Sequence, residues 1–427
     1  MNRIFPLFAL IAAASSSLAQ TITITTDHPS GIYTLQETAT WTVKAEGEGL
    51  EGAKFSYWIR EGGLPGSSPK TFESSSLPQI IMKSPPSVPG WHLLEVHAAT
   101  KDGKTIKAYS GALFAPEKIV PAAPRPVDFD QFWNEKVSQL RRTPSNPSIE
   151  SRDSGREGVD YELVTLSGWK GAKVNGQLAK PSKEGRHPAM LVVQWAGVYP
   201  LERAWAVDRA ADGWLTLNIQ AHELPVFGTK AFFDEQSAGP LKNYPAIGAE
   251  DRETSYFLRM YLSCIRAADY LASRPEWNGK VMLVTGGSQG GLQALVTAAL
   301  HTKITGALAS VPAGCDQSSL LAQRSPGWPM WPWFAQGPKA DEIKAAAPYF
   351  DVVNFTRRIA CPVLVGVGGI DTVCPPAGIY AAMNQVRSRK EIVYMPLADH
   401  MGNHAAYYQR NSAWIAALRE GKSPTSP

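Results

Sequence analysis

The sequence has few cysteines, which cross-link small exported domains, and no long run of the basic residues that bind nucleic acids. Only 4 of its 427 residues are cysteine, and their positions do not form the C-x-x-C spacing of a zinc site. Charged residues make up 19% of the chain, the formal net charge is +4, and no run of lysine and arginine is long enough for a nucleic-acid surface. The composition argues against a disulfide framework and against nucleic acid as a partner. The favoured interpretation is that the cysteines are small buried hydrophobic residues, the alternative is one incidental disulfide, and no pairing is indicated for Cys264, Cys315, Cys361 and Cys374.

Beyond its first 20 residues the chain also lacks any apolar stretch close to the roughly 20 residues that a membrane-spanning helix needs. The first residues, MNRIFPLFALIAAASSSLAQ, combine Arg3, an apolar stretch from Ile4 to Ala14 and the small-residue sequence Ser17-Leu18-Ala19. This pattern predicts a secretory signal peptide over residues 1–19, with an uncleaved anchor as the alternative. The mature protein is expected to begin near Gln20 and to be periplasmic or extracellular.

Residues 20–115 show short apolar runs that alternate with polar residues, such as TITIT and KFSYWI, and no helical stretch. Gly, Pro and Ser clusters separate these runs, which predicts an immunoglobulin-like β-sandwich. Residues 116–126, PEKIVPAAPRP, contain four prolines and predict a stiff extended linker. Because such a linker offers few residues that could pack across a domain boundary, the chain from about Val120 onward is expected to fold without the sandwich.

The pattern changes after the linker. Continuous apolar runs such as AMLVVQW, LTLNI, VMLVTGG and VLVGVGG alternate with stretches of helical periodicity. Strands that alternate with helices predict a mainly parallel sheet with helices on both faces. We therefore expect an α/β catalytic domain over residues 127–420.

One serine in this domain lies between glycines, in the stretch VTGGSQGGLQALVTAAL from Val284 to Leu300. The preceding residues read as a buried strand and the following residues as a helix. A Gly-x-Ser-x-Gly sequence in that context is typical of the sharp turn that exposes a nucleophilic serine at the carboxyl edge of the sheet. Ser288 is therefore the candidate nucleophile, and a glycine-rich structural turn is the alternative.

A nucleophilic serine needs an acid and a histidine, which in this architecture follow it in that order. Asp371 follows the buried run VLVGVGG, and His400 follows the run EIVYMPL. His404 lies four residues further on and cannot be separated from His400 by order alone. We predict a Ser288–His400–Asp371 triad, because His400 is closer to the end of its strand.

Other residues are candidates for supporting roles. The oxyanion of an acyl intermediate needs two N–H donors, which we predict at Gln289, next to the nucleophile, and near Val198 in the loop after LVVQW. The stretch GWPMWPWF could line a sugar site with Trp328 and Trp331, and it also contains Trp333. Its alternative interpretation is a packed lid. No metal site is predicted, because the adjacent pair His222-Glu223 is not a ligand set.

Three segments together resemble a known family. RPVDFDQFWNEKVSQL before the sheet, GGSQGG around Ser288 and DTVCPP at Asp371 are similar to the acetyl xylan esterases and cephalosporin C deacetylases of carbohydrate esterase family seven. The resemblance extends from about Pro126 to Leu418. It implies an α/β-hydrolase fold, removal of acetyl groups from sugars, a homo-oligomer, and catalytic roles for Ser288, Asp371 and His400.

The chain departs from the family pattern at three places. The family's Arg-Gly-Gln motif reads Gln220-Ala221-His222, its His-Glu pair reads His400-Met401, and its oxyanion tyrosine corresponds to Val198. The added β-domain is not part of the usual short form.

These observations predict an exported serine esterase that removes O-acetyl groups from a polysaccharide or oligosaccharide without a cofactor or metal. The alternatives are a hydrolase of another small acetyl ester, a serine peptidase with the same fold, and an inactive carbohydrate-binding protein.

Overall fold

The computed structural model describes residues 20–66, 68–101, 103–331, 335–422 and 424. The predicted signal peptide over residues 1–19 and the predicted aromatic residue Trp333 lie outside this range. Within it, none of the helices combines the length and the apolar character needed to cross a membrane.

The first part of the chain folds into two sheets. The strands are β1 (Thr21–Thr26), β2 (Ile32–Tyr33), β3 (Ala39–Glu46), β4 (Lys54–Glu61), β5 (Lys70–Glu73), β6 (Gln79–Lys83), β7 (Gly90–Ala99) and β8 (Thr105–Phe114). One sheet has the order β1-β3-β6 and the other the order β2-β8-β7-β4-β5. The adjacency of β8, β7 and β4 is the G-F-C order of immunoglobulin sheets. Alternate residues such as Trp41 and Val43 on β3, and Val96 and Ala98 on β7, point into one shared core, as the alternating sequence predicts.

The second part of the chain contains a sheet of nine described strands. They are β9 (Ser148–Arg152), β10 (Val159–Ser167), β11 (Lys173–Pro181), β12 (His187–Val193), β13 (Leu215–Ile219), β14 (Trp277–Gly287), β15 (Gly306–Ser310), β16 (Val363–Gly368) and β17 (Lys390–Met395). Their order is β17-β16-β15-β14-β12-β13-β11-β10-β9, and the six strands from β17 to β13 run parallel. This mainly parallel sheet is that of an α/β-hydrolase.

Helices cover both faces of this sheet. They are α1 (Phe129–Arg142), α2 (Ala204–Ala211), α3 (Lys230–Ala238), α4 (Tyr256–Ser273), α5 (Gln289–Leu300), α6 (Ala340–Ala346), α7 (Val352–Phe355), α8 (Pro376–Met383) and α9 (Ala405–Arg419). Side chains of α1, α4, α5 and α8 join the large core on one face, and Trp414 and Leu418 of α9 join a smaller core on the other. The strand order reverses beside β12, so the loops after β12 and β14 flank a crevice at the carboxyl edge, where α/β folds place their ligands.

The N-terminal sheets pack firmly against the α/β domain, which the sequence does not predict. Trp91 on β7, Leu113 on β8 and Ile119 are buried within the large core of that domain. The indole N–H of Trp91 donates to the carbonyl of Gly369 at 3.0 Å. The Cβ of an alanine at Gly111 would lie 2.2 Å from the same oxygen, so the two backbones are in close contact.

The segment over residues 116–126 is also held in place. The carbonyls of Pro116 and Ile119 accept hydrogen bonds from Asn384, and the N–H of Ala122 donates to Asp316. The expectation that few residues pack across this boundary is therefore wrong, because apolar side chains on both sides share one core. The boundaries themselves stay predictions.

All four cysteines are buried and free. Burial raises the pKa of each thiol. They therefore act as small apolar residues, which was the favoured interpretation.

Candidate active site

Ser288 occupies the sharp turn between β14 and α5. Its backbone has φ 54° and ψ −119°, a conformation that non-glycine residues adopt only under local constraint. The turn is tight because a Cβ at Gly286 would lie 2.5 Å from the backbone of Gly290, and a Cβ at Gly290 would lie 2.6 Å from the carbonyl of Val193. The glycines on either side of the serine are thus required by close approach of the backbone, and they leave the hydroxyl at the edge of the sheet.

Ser288, His400 and Asp371 form a continuous series of hydrogen bonds. The Oγ of Ser288 lies 2.9 Å from Nε2 of His400, and Nδ1 of His400 lies 2.9 Å from Oδ2 of Asp371. Asp371 is fully buried, and its Oδ1 accepts the N–H groups of Val373 and Cys374, each at 2.8 Å. The carboxylate is therefore held in one orientation, with one oxygen directed at the imidazole.

His404 has a different environment. Its Nε2 lies 2.8 Å from the carbonyl oxygen of Asp399, and its backbone precedes the first turn of α9. Of these two histidines, only His400 is hydrogen-bonded to Ser288 and Asp371. The geometry therefore favours His400 over His404 as the base.

A cavity of about 460 Å³ opens in front of Ser288. Its walls include the indoles of Trp195 and Trp328 and the phenol of Tyr408. Trp328 lines this cavity, and its contact with a sugar stays a prediction. Trp331 does not line the cavity, because it is buried against Phe257 and its indole N–H donates to a backbone carbonyl at 2.9 Å.

The loop after β12 contributes Trp195 and Ala196 to the cavity wall, whereas the predicted oxyanion residue Val198 does not line the cavity. Val198 instead packs against the large hydrophobic core. Gln289 is the first residue of α5, so its N–H has no acceptor within the helix. Gln289 does not line the cavity either, so both oxyanion donors stay predictions. The residues of this loop that line the cavity are Trp195 and Ala196.

Several buried polar residues hold this loop, and the sequence analysis did not assign them a role. Gln220 donates to the carbonyl of Tyr199 at 2.9 Å, and Nε2 of His222 lies 2.9 Å from the carbonyl oxygen of Gly197. Burial lowers the pKa of His222 to about 4, which keeps the ring neutral and able to donate through Nε2. The hydroxyl of Tyr244 donates to the side chain of Gln289 at 2.5 Å. The triplet Gln220-Ala221-His222 thus supports the loop at the place where the family pattern has Arg-Gly-Gln.

One group of side chains offers the donor types that zinc accepts. Ligand atoms of Asp371, Cys374 and His400 lie within 4.8 Å of one another. Asp371 and His400 are already hydrogen-bonded to each other, and burial raises the pKa of the Cys374 thiol well above its usual range. The same elevated pKa keeps Cys374 protonated and therefore poor as a competing nucleophile.

Comparisons with known proteins agree on one family. The family model described as acetyl xylan esterase matches residues 116–418. The acetyl esterase Axe7A of Xylanibacter ruminicola is 34% identical over 291 residues, which are 67% of this chain and 66% of that protein. The match thus spans slightly less than two thirds of the relative's length.

Solved structures show the same fold. Acetyl xylan esterase 1 from a Thermoanaerobacterium species has a TM-score of 0.59 at 21% identity, over 72% of this chain and 98% of its own. An acetyl xylan esterase from a Paenibacillus species has a TM-score of 0.61 at 24% identity, over the same shares of the two chains.

Proposed function

The chain belongs to the acetyl xylan esterase family, and on that premise we propose that it is a serine esterase that removes O-acetyl groups from polysaccharides or oligosaccharides. The observation that carries the proposal is the series of hydrogen bonds from Ser288 through His400 to the buried Asp371. A serine hydroxyl is a weak nucleophile unless an adjacent base accepts its proton. This arrangement supplies the base and a carboxylate that orients it.

In the proposed reaction, Oγ of Ser288 attacks the acetyl carbonyl carbon while Nε2 of His400 takes the hydroxyl proton. The bond to the sugar oxygen then breaks, and His400 returns the proton to that oxygen. Water attacks the acetyl-enzyme by the same route and releases acetate. Asp371 accepts the N–H at Nδ1 and stabilises the imidazolium that forms in each half of the reaction.

The negative oxygen of each tetrahedral intermediate requires donors. We assign the first to the N–H of Gln289, which lies at the N-terminus of α5, where the helix dipole favours negative charge. For the second we assign a backbone N–H of the loop that contains Trp195 and Ala196, in place of Val198. Removing one such donor typically reduces the rate by about 100- to 1,000-fold.

The walls of the cavity support a sugar ester as the substrate. Trp195 is 47% exposed and Tyr408 is 59% exposed, so both present ring surface to solvent at the mouth of the cavity. Aromatic rings with one apolar face and a polar edge suit ligands that, like sugars, combine C–H faces with hydroxyl groups. Export is the second part of the proposal and rests on the N-terminal sequence alone, and the homo-oligomer implied by the resemblance stays a prediction.

Acetate release from a panel of acetylated polysaccharides tests the proposal. Acetylated xylan should release acetate with wild-type protein and not with the Ser288→Ala variant, while a dipeptide anilide should remain intact with both. Cleavage of the anilide without acetate release would make the protein a peptidase. Binding of xylan without release of acetate would favour the carbohydrate-binding alternative.

A further inference from the structure

A second cavity adjoins the one in front of Ser288. Its volume is about 270 Å³, and it shares four wall residues with the first cavity: Trp195, Gly287, Ser310 and Tyr408. A ligand that fills the first cavity could therefore extend into the second past Trp195. None of the reaction steps proposed above uses this second space.

The second cavity contains a cation that forms no close ion pair with the described residues. Arg209 on α2 lines it, and its guanidinium donates to the carbonyl of Trp205 at 2.6 Å. In the described part of the chain no carboxylate lies within ion-pair distance of Arg209, and the neighbouring Asp208 pairs with Arg156 at 2.8 Å instead. Burial lowers the pKa of Arg209, and the more distant carboxylates of Asp208 and Asp212 offset that shift only in part.

The rest of the cavity wall is of the kind that binds a sugar. The rings of Trp195 and Trp205 are 4.8 Å apart, and Asn411 adds an amide. The hydroxyl of Ser310 is buried and has no hydrogen-bond partner among the described residues. An unpaired polar group that is buried costs free energy unless a ligand or water satisfies it.

We propose that this second cavity binds a uronic acid residue of the substrate, with the sugar carboxylate on the guanidinium of Arg209 and the ring against Trp195 and Trp205. The inference rests on the proposed esterase function and adds a preference for acidic acetylated sugars. Arginine suits this role because its planar fork can donate two parallel hydrogen bonds to one carboxylate. The acetate product is an alternative ligand with the same negative charge as the sugar carboxylate. It has no ring to contact the two tryptophans, so it would leave most of the cavity empty.

The test compares two acetylated xylo-oligosaccharides of equal length, one with and one without a glucuronic acid branch. The wild-type protein should have a KM at least about tenfold lower for the acidic substrate. Arg209→Gln should remove that difference and leave p-nitrophenyl acetate hydrolysis within about twofold of wild type. Arg203→Gln is the matched control, because Arg203 precedes the same helix and does not line the cavity.

Equal KM values for the two substrates with wild-type protein would overturn the inference, and this result does not depend on whether a variant folds. Inhibition of p-nitrophenyl acetate hydrolysis provides a second measurement. Glucuronate should inhibit more strongly than glucose or acetate, and inhibition by acetate equal to that by glucuronate would assign the cavity to the product instead. Failure of wild-type protein to hydrolyse any acetyl ester would refute the esterase proposal itself, a result distinct from equal KM values.

Discussion

The contact between Trp91 and Gly369 predicts that the N-terminal sandwich is part of the catalytic unit. Gly369 lies two residues before Asp371, and its carbonyl accepts the buried indole N–H of Trp91 at 3.0 Å. Trp91→Phe would keep an aromatic ring and remove that donor. An unpaired buried carbonyl costs about 1–3 kcal/mol, and a shift of about 1 Å in a catalytic group can reduce the rate by roughly 100-fold. We expect kcat for p-nitrophenyl acetate to fall at least tenfold, with a smaller change in KM.

Trp41→Phe is the matched control for this prediction. Trp41 is fully buried in the sandwich core, and its indole nitrogen has no hydrogen-bond partner among the described residues. The variant should lose stability through the smaller ring and keep its kcat at temperatures where it is folded. Gly111→Ala, whose Cβ would lie 2.2 Å from the Gly369 oxygen, should lower kcat more than Trp91→Phe. An unchanged kcat in the Trp91→Phe protein, or equal losses in the Trp41→Phe and Trp91→Phe proteins, would refute the reasoning.

Three further predictions concern the base, the acyl group and pH. His400→Ala should be as inactive toward p-nitrophenyl acetate as Ser288→Ala, because a catalytic triad acts as a unit. His404→Ala should keep most of the activity, and the reverse order of activities would assign the base to His404. p-Nitrophenyl acetate should be hydrolysed much faster than p-nitrophenyl octanoate, because in a tight acyl site each extra methylene costs roughly 1–3 kcal/mol of transition-state binding free energy. Equal rates would indicate a general carboxylesterase. Burial lowers the pKa of His222 and of His92 to about 4, whereas an unfolded histidine titrates near 6.5. Above about pH 6.5 each ring is neutral in both states and does not change the free energy of unfolding. As the pH falls towards 4, the unfolded chain gains a proton on each histidine that the folded protein does not, which lowers the free energy of unfolding by up to ~3 kcal/mol for each ring. Urea unfolding between these pH values should show a shallower pH dependence for His222→Asn than for wild type, and an identical slope would contradict this account.

The position of the candidate site was predictable because its signals are local in the sequence. Ser288 lies between glycines at the junction of a strand-like and a helix-like stretch, and Asp371 and His400 each follow a strand-like run. The carboxyl ends of parallel strands meet at one edge of a sheet, so order and position bring the three residues together. The alternating residues of β3 and β7 predicted the sandwich in the same way.

Other features depend on contacts between distant segments and have no local signal. Trp331 lies in the same aromatic stretch as Trp328, yet its ring packs in the core against Phe257, which is over 70 residues away in the chain. The packing of Trp91 on Gly369 joins residues 278 positions apart. The hydrogen bonds of Gln220 and His222 to the loop after β12 likewise depend on the fold.

Covalent labelling with a fluorophosphonate probe tests the central claim most directly. The probe reacts with activated serines, and the site of the adduct is found by mass spectrometry of proteolytic peptides. We predict one adduct, on Ser288, with loss of p-nitrophenyl acetate hydrolysis in proportion to labelling and no adduct in His400→Ala. An adduct on another residue, or full activity in protein whose Ser288 is completely labelled, would contradict the account.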